Sequence, residues 1–235
     1  MKINVAKTES MVLSRNLEQC TPHVSGVPLK QVEKFKYLGT MFTRDGNGDA
    51  EIDNRIGQAG TILRQLYRSI VKKAELSRKA KLAVFKSVFV PTLTYGHEAW
   101  VMTEKTRSRV QAAEMRCLRG IAGVSRLDKV RSSAVRESLE VEPLLLQIER
   151  SQMRWYGHVI RMPRERLAVQ SLLAQPTGRR PRSRPRARWI DKIQDLGYRR
   201  LGIPAEELAP VAKEPGLWKE LLALLSPLPE RNNAA

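Results

Sequence analysis

The spacing of apolar residues after residue 49 is the feature that most limits how this chain can fold. Ile52, Ile56 and Ala59 begin a series at intervals of three and four residues, which places apolar side chains along one face of an α-helix. Comparable series return along most of the chain. We predict helices at residues 49–70, 77–90, 103–122, 128–139, 143–162, 167–173, 189–201 and 217–225.

Several boundaries of these helices carry the residues that usually begin or end a helix. Ser77 and Thr103 are predicted N-caps, because a hydroxyl oxygen can accept a hydrogen bond from a free N–H of the first turn. Gly123 lies just past the end of the third predicted helix, where glycine is common. Pro91 is predicted to end the second helix, since proline lacks the backbone donor.

The N-terminal region differs from the rest. Residues 11–13 and 34–43 are short apolar and aromatic runs that favour two β-strands, and the Asp-Gly and Asn-Gly pairs at residues 45–48 favour a turn. Two or three strands leave an apolar face that needs a cover. The predicted fold class is therefore mainly α: a helical bundle with a small N-terminal antiparallel β part, an α+β arrangement.

The charge balance indicates the class of partner. The chain has 42 Lys and Arg against 24 Asp and Glu, a formal net charge of +18, which attracts phosphate-rich partners. Prolines keep residues 176–188 extended, so that successive guanidinium groups can follow a phosphate backbone. The arginines concerned are Arg179, Arg180, Arg182, Arg184, Arg186 and Arg188. A nuclear localisation signal and a solvated linker are the alternative interpretations of this segment.

The predicted helix at residues 143–162 carries a second candidate surface. Arg154, His158 and Arg161 lie four and three residues apart and so share one face. Trp155 lies beside them and allows two interpretations. It stacks on a nucleic-acid base, or it is buried in the bundle together with Tyr156.

The acidic residues, histidines and cysteines do not predict a catalytic or metal centre. The aspartates lack the clustered arrangement that hard divalent cations need, and the three histidines and two cysteines lack the paired spacing of a zinc site. For Cys117 two interpretations stay open: a nucleophilic pair with His158, or a buried packing role. No metal or cofactor is predicted for this chain.

A set of motifs in a fixed order resembles the C-terminal part of the reverse transcriptases of non-LTR (LINE-type) retrotransposons. The motifs are Asn4-Val5-Ala6-Lys7-Thr8-Glu9 with Met11-Val12-Leu13, Phe35-Lys36-Tyr37-Leu38-Gly39, PTLTYGHEAW at 91–100, Glu114-Met115-Arg116, RWYGHVIRM at 154–162, and the GRRPR run followed by Trp189-Ile190-Asp191. The resemblance covers nearly the whole chain.

The resemblance implies positions for several residues. Lys7 matches a lysine near the phosphates of the incoming nucleotide, and Phe35, Lys36, Tyr37, Leu38 and Gly39 match the primer grip, a β-hairpin that holds the primer's 3′ end. The implied regions are a palm remnant with the primer-grip hairpin at 1–45, a helical thumb-like domain at 46–125, a helical downstream region at 126–175, a basic linker at 176–188 and C-terminal helices at 189–235. The thumb would cradle an RNA–DNA duplex.

The family binds magnesium through palm aspartates that precede the Lys-Thr segment and are absent from this sequence. We therefore predict a truncated reverse transcriptase that binds RNA and DNA, needs no small-molecule substrate and is inactive alone as an RNA-directed DNA polymerase. The alternatives are a stand-alone, domesticated nucleic-acid-binding module and a protein-interaction or membrane-surface scaffold that uses the helix at 217–225. A nuclear or cytoplasmic location is expected, without secretion or a membrane span.

Overall fold

A computed structural model describes residues 3–13, 19–174 and 187–227. Helices form most of this part of the chain, and its strands are short and N-terminal, so the predicted class, mainly α with a small β part, is confirmed. Within these segments, none of the helices has both the length and the apolar content needed to traverse a bilayer.

The strands are β1 (Glu9–Ser10), β2 (His23–Val24), β3 (Val27–Pro28), β4 (Lys30–Gln31), β5 (Lys34–Tyr37) and β6 (Thr40–Thr43). The helices are α1 (Asp49–Leu66), α2 (Arg78–Val84), α3 (Val90–Thr94), α4 (Glu104–Ala122), α5 (Ser132–Ser138), α6 (Leu144–Ile160), α7 (Leu167–Leu173), α8 (Trp189–Leu201), α9 (Ala205–Lys213) and α10 (Pro215–Ala223). Two π-helical turns, Tyr67–Val71 and Phe85–Phe89, follow α1 and α2.

The observed strands differ from the predicted ones in three details. Residues 11–13 lie outside the strands, and pairing occurs just before them, where β1 runs parallel to β4. Only the β2–β3 and β5–β6 pairs are antiparallel. Residues 34–43 form two strands instead of one, because Leu38 and Gly39 both have positive φ, 47° and 84°, and make the tight turn whose twist suits a hairpin.

The helices surround two apolar clusters. In the first, α1, α3 and α4 bury Ile52, Leu93 and Leu118 among others. In the second, α6 packs against α8, α9 and α10. Since α6 contributes to both clusters, it is the element that joins the two halves of the bundle.

The capping predictions at Ser77, Thr103 and Gly123 hold, but two boundary predictions do not. Ser77 and Thr103 cap α2 and α4, and Gly123 ends α4 in the left-handed conformation. Pro91 does not stop the helix: it lies in the first turn of α3, directly after a π-helical turn, where its missing N–H costs little. The short helix expected from residue 128 begins at 132.

Helix α9 was missed because Pro210 lies inside it. Burial of Leu208 and Ala212 in the second cluster stabilises this short helix despite the lost backbone hydrogen bond. Close packing in this half also depends on Gly157, since a Cβ there would lie 2.4 Å from Nε1 of the buried Trp218. Such a distance leaves no room for a side chain.

Two buried glutamates connect helices of the bundle. Glu114 of α4 is fully buried and accepts hydrogen bonds from Arg136 Nη2 (2.8 Å) and from the backbone N–H of Leu144 (3.0 Å). Glu149 of α6 accepts from Arg200 Nε of α8 (2.9 Å). Arg107 Nη2 lies 2.7 Å from Oε1 of Glu149, but without hydrogen-bond alignment, so this contact is an ion pair only.

Candidate nucleic-acid interface

The β5–β6 hairpin, which the resemblance equates with the primer grip, presents an exposed tip. Tyr37 and Leu38 are 57% and 73% exposed, and Lys36 is exposed beside them, whereas Phe35 is half-buried. The turn at Leu38 and Gly39 therefore carries an aromatic, an aliphatic and a cationic side chain toward solvent.

Helices hold this hairpin in place through its backbone. Arg55 of α1 donates from Nη2 to the Gly39 carbonyl (2.6 Å), and Tyr95 donates from Oη to the Leu38 carbonyl (2.8 Å). Arg55 is itself paired with Glu51, whose second carboxylate oxygen accepts from the Met41 N–H (2.7 Å). The hairpin is thus fixed to α1 and to the segment after α3.

The PTLTYGHEAW motif lies against the hairpin. An open cleft of about 490 Å³ separates the two, with Tyr37 and Phe42 on one wall and Pro91, Tyr95 and His97 on the other. Two motifs that are far apart in sequence are therefore neighbours in the fold, and residues 91–98 support the hairpin.

Lys7 ends a short 3₁₀ turn, Val5–Lys7, and is exposed. Among the described residues, no hydrogen bond or ion pair connects its side chain to the hairpin. The structure thus leaves Lys7 and the hairpin as separate features of the surface.

On α6 the structure separates the two aromatic residues of the second candidate surface. Trp155 is 39% exposed and lies beside the exposed His158, with ring centroids 5.5 Å apart, next to the exposed Arg154. Tyr156 is buried, so the packing interpretation applies to it alone. Arg161 Nη1 donates to the Ala212 carbonyl (2.5 Å) and so has a structural contact with α9.

Of the arginine-rich segment only Arg188 can be described. Arg179, Arg180, Arg182, Arg184 and Arg186 lie outside the described residues. Arg188 Nη2 donates to Asp191 Oδ1 (2.7 Å) at the start of α8, and this hydrogen bond lowers the pKa of the aspartate. Its guanidinium is thus occupied by a carboxylate of the same chain.

A larger cleft, which we call the basic cleft, was not predicted. It has a volume of about 1540 Å³ and lies between the C-terminal end of α1 with its π-helical turn, the start of α2, and α4 with the loop after it. Its walls contain eight cationic side chains and no Asp or Glu. The cationic residues are Arg64, Arg68, Lys72, Arg78, Lys81, Arg116, Arg119 and Arg126.

Close packing of α4 on the π-helical turn forms the floor of the basic cleft. A Cβ at Gly120 would lie 3.1 Å from Val71 Cγ1 and 3.5 Å from Tyr67 Cε2, so the absent side chain allows this approach. The cationic side chains of α1 and those of α4 consequently line the same cleft. Tyr67 lies between them, and Lys72 Nζ is 5.6 Å from its ring centroid.

The charges of the basic cleft are little compensated by the described residues, although Arg119 lies close enough to Asp128 to add to the hydrogen bonds from Ser125 that lower the pKa of that carboxyl. Within the described segments, none of its eight cations forms an ion pair with a carboxylate. Arg119 instead donates from Nη2 to the Val130 carbonyl (2.7 Å) and thereby holds the loop after α4. Gathering like charges costs free energy unless an anion is bound, so the cleft has the electrostatics of a polyanion site.

The basic cleft could not be predicted from local sequence pattern, because its residues come from separate segments that resemble ordinary solvated helix faces. One signal was present: Arg64, Arg68 and Lys72 are four residues apart, and no acidic residue lies between Asp53 and Glu75. A charge row without acidic partners is unusual for a face that is only solvated.

A hard divalent cation needs several oxygen ligands close together. In the described segments, no three side chains of His, Cys, Asp or Glu come close enough to hold a metal ion. These residues thus do not fit the magnesium that the resemblance implies for the family, and we derive no step through it. Cys117 lies in the first apolar cluster, as its packing interpretation requires, and burial raises the pKa of its thiol to about 12.

We expect Cys117 to be unreactive in the folded protein. Because its pKa is raised, the thiol stays protonated at mildly alkaline pH, whereas an exposed thiol with a pKa of about 8.5 ionises there. Titration with Ellman's reagent should detect one thiol, the exposed Cys20, in native protein and a second only after unfolding in guanidinium. Rapid reaction of both thiols before unfolding would contradict the burial of Cys117.

Comparisons with known proteins find similarity to transposon-derived proteins. It is 26% identical over 208 residues to an uncharacterised transposon-derived protein of Caenorhabditis elegans, covering 83% of this chain and 72% of that protein. It is 24% identical over 188 residues to an RNA-directed DNA polymerase from the transposon X-element of Drosophila melanogaster. That match covers 78% of this chain but 20% of the polymerase.

No protein-family model matches the chain, and no solved structure matches it. The two relatives support a retrotransposon-related origin, connected to RNA-directed DNA polymerases.

Proposed function

We propose that this chain is a nucleic-acid-binding part of a non-LTR retrotransposon reverse transcriptase, and that the basic cleft is its main contact with an RNA or DNA backbone. The observation that carries the proposal is the cleft with eight cations and no carboxylate. Lys and Arg are the residues that neutralise phosphates, and most of the affinity of such complexes comes from that electrostatic contact.

Three other surfaces fit the same proposal. The exposed Tyr37 and Leu38 at the hairpin tip fit a primer-grip role, and the exposed Trp155 with Arg154 fits a secondary contact on α6. The arginine-rich segment at 176–188 is included in the proposal because its sequence contains six arginines and no acidic residue. No residue of this chain is assigned a catalytic role, and the proposal is for binding without polymerisation.

A stand-alone nucleic-acid-binding module is the second candidate. It is favoured by the C. elegans relative, because the region shared with this chain makes up 72% of that protein. The two candidates share the basic cleft and therefore the following test.

Neutralising three cations of the cleft should weaken binding and reduce its salt dependence. The variant is Arg64→Gln/Arg68→Gln/Arg116→Gln, which removes charge from both walls. Each lost phosphate contact lowers the slope of log affinity against log salt by about 0.7–0.9, so the slope should become shallower by about 2 to 3. Fluorescence anisotropy with a labelled RNA strand and with an RNA–DNA duplex, over about 50–200 mM salt, measures this.

The matched control removes three charges elsewhere. Lys192→Gln/Lys213→Gln/Lys219→Gln changes the net charge equally on the C-terminal helices, away from the cleft. If this control flattens the salt dependence as much as the cleft variant does, binding is a diffuse effect of net charge and the cleft has no special role.

A further inference from the structure

An aromatic side chain lies between the cationic walls of the basic cleft. Tyr67 begins the π-helical turn after α1, and its side chain is 38% exposed. We infer that the basic cleft takes a single-stranded nucleic acid, with Tyr67 as the stacking platform for an unpaired base. This inference rests on the proposed function and specifies the strandedness of its ligand.

The ring of Tyr67 is held in position as a platform should be. The π-helical turn sets its backbone, and its edge packs where a Cβ of Gly120 would lie 3.5 Å away. Lys72 Nζ lies over one face of the ring, 5.6 Å from the ring centroid, so the opposite face is the one that would stack on a base. A fixed aromatic ring loses little entropy when a base stacks on it.

The cations around the ring come from both sides of the cleft. Arg64 and Arg68 lie on the same helical segment as Tyr67, while Arg116 and Arg119 lie across the cleft on α4. A strand whose phosphates follow these guanidinium groups would carry its bases past the ring. Basic grooves with an aromatic platform are the usual way in which proteins bind single strands without sequence preference.

Two further points favour a polymeric single strand as the ligand. The volume of about 1540 Å³ exceeds the roughly 300–1,000 Å³ of small-molecule pockets. In a duplex both faces of every internal base are covered by neighbouring base pairs, so an aromatic ring in the wall of a cleft has no base face to contact. Tyr67 therefore adds affinity only where bases are unpaired.

The test compares Tyr67→Ala and Tyr67→Phe on three labelled probes: an RNA single strand, an abasic strand of equal length, and an RNA–DNA duplex. Loss of one stacking contact should weaken binding of the RNA strand by about 5- to 150-fold in the Ala variant. The Phe variant keeps the ring and should bind like the wild type. Neither variant should alter binding of the abasic strand or the duplex, or the salt dependence.

Tyr198→Ala is the control, because this tyrosine is 66% exposed on α8, outside the cleft. Circular dichroism melting of each variant shows whether the overall fold and its stability are preserved. The inference is overturned if Tyr67→Ala weakens all three probes equally, if Tyr67→Phe fails to restore binding, or if no probe is affected. In the last case a reduced salt slope in the arginine variant would still support the cleft as a backbone site.

Discussion

Replacing Glu114 by alanine should lower the free energy of unfolding by about 3–5 kcal/mol. The carboxylate is fully buried in α4, where it accepts hydrogen bonds from Arg136 of α5 and from the N–H that begins α6. Removing it deprives a buried guanidinium and a buried backbone donor of this acceptor, so the desolvation cost of both is less well compensated. Urea denaturation followed by circular dichroism measures the change.

A double variant distinguishes loss of the pair from loss of packing. Glu114→Leu/Arg136→Met removes both charges and keeps apolar volume, and such replacements are often neutral or stabilising. We expect the double variant to be more stable than Glu114→Ala. If it is equally unstable, the cost comes from the lost acceptor of the Leu144 N–H or from packing around α4 and α5, and the ion pair contributes little.

Replacing Glu149 by alanine should have a comparable effect, about 3–5 kcal/mol, but in the other half of the molecule. This carboxylate of α6 meets Arg107 of α4 and Arg200 of α8, and all three side chains are largely buried. Its loss leaves two guanidinium groups facing each other in a region of low dielectric constant. The contact of α8 with α6 should weaken first.

Hydrogen exchange locates this effect, since amides of α8, α9 and α10 should exchange faster while those around the first apolar cluster stay protected. Glu142→Ala is the matched control: Glu142 pairs with Arg150 at a more exposed position, and such pairs contribute about 0–1 kcal/mol. Uniform loss of protection along the whole chain would show that the two halves unfold as one unit instead.

Glu114 and Glu149 matter for the proposed function because they position the helices that carry the candidate nucleic-acid-binding surfaces. Glu114 connects α4, which forms one wall of the basic cleft, to α5 and α6, and Glu149 connects α6, which carries the exposed Trp155, to α4 and α8. A variant at either position should therefore change stability first, and nucleic-acid binding only to the extent that these walls move. Measuring both quantities for each variant separates a structural contribution from a binding contribution.

Local pattern was sufficient for much of the fold. The apolar spacing predicted α7 and α8 with their observed bounds, and Ser77, Thr103 and Gly123 marked helix ends correctly. These features depend on residues within one or two turns of each other, since capping and helical periodicity are short-range effects. The positive charge of the chain, on which the proposed class of partner rests, also follows from composition alone.

Tertiary structure decided what local pattern could not. Pro91 lies in the first turn of a helix instead of ending one, with Leu93 packed in the first apolar cluster. Pro210 lies inside a helix because packing of Leu208 in the second cluster outweighs the lost hydrogen bond. The basic cleft exists only because α1 and α4, about fifty residues apart, approach each other over Gly120. Each wall alone is a common cationic helix face; their convergence without a carboxylate is a property of the folded chain.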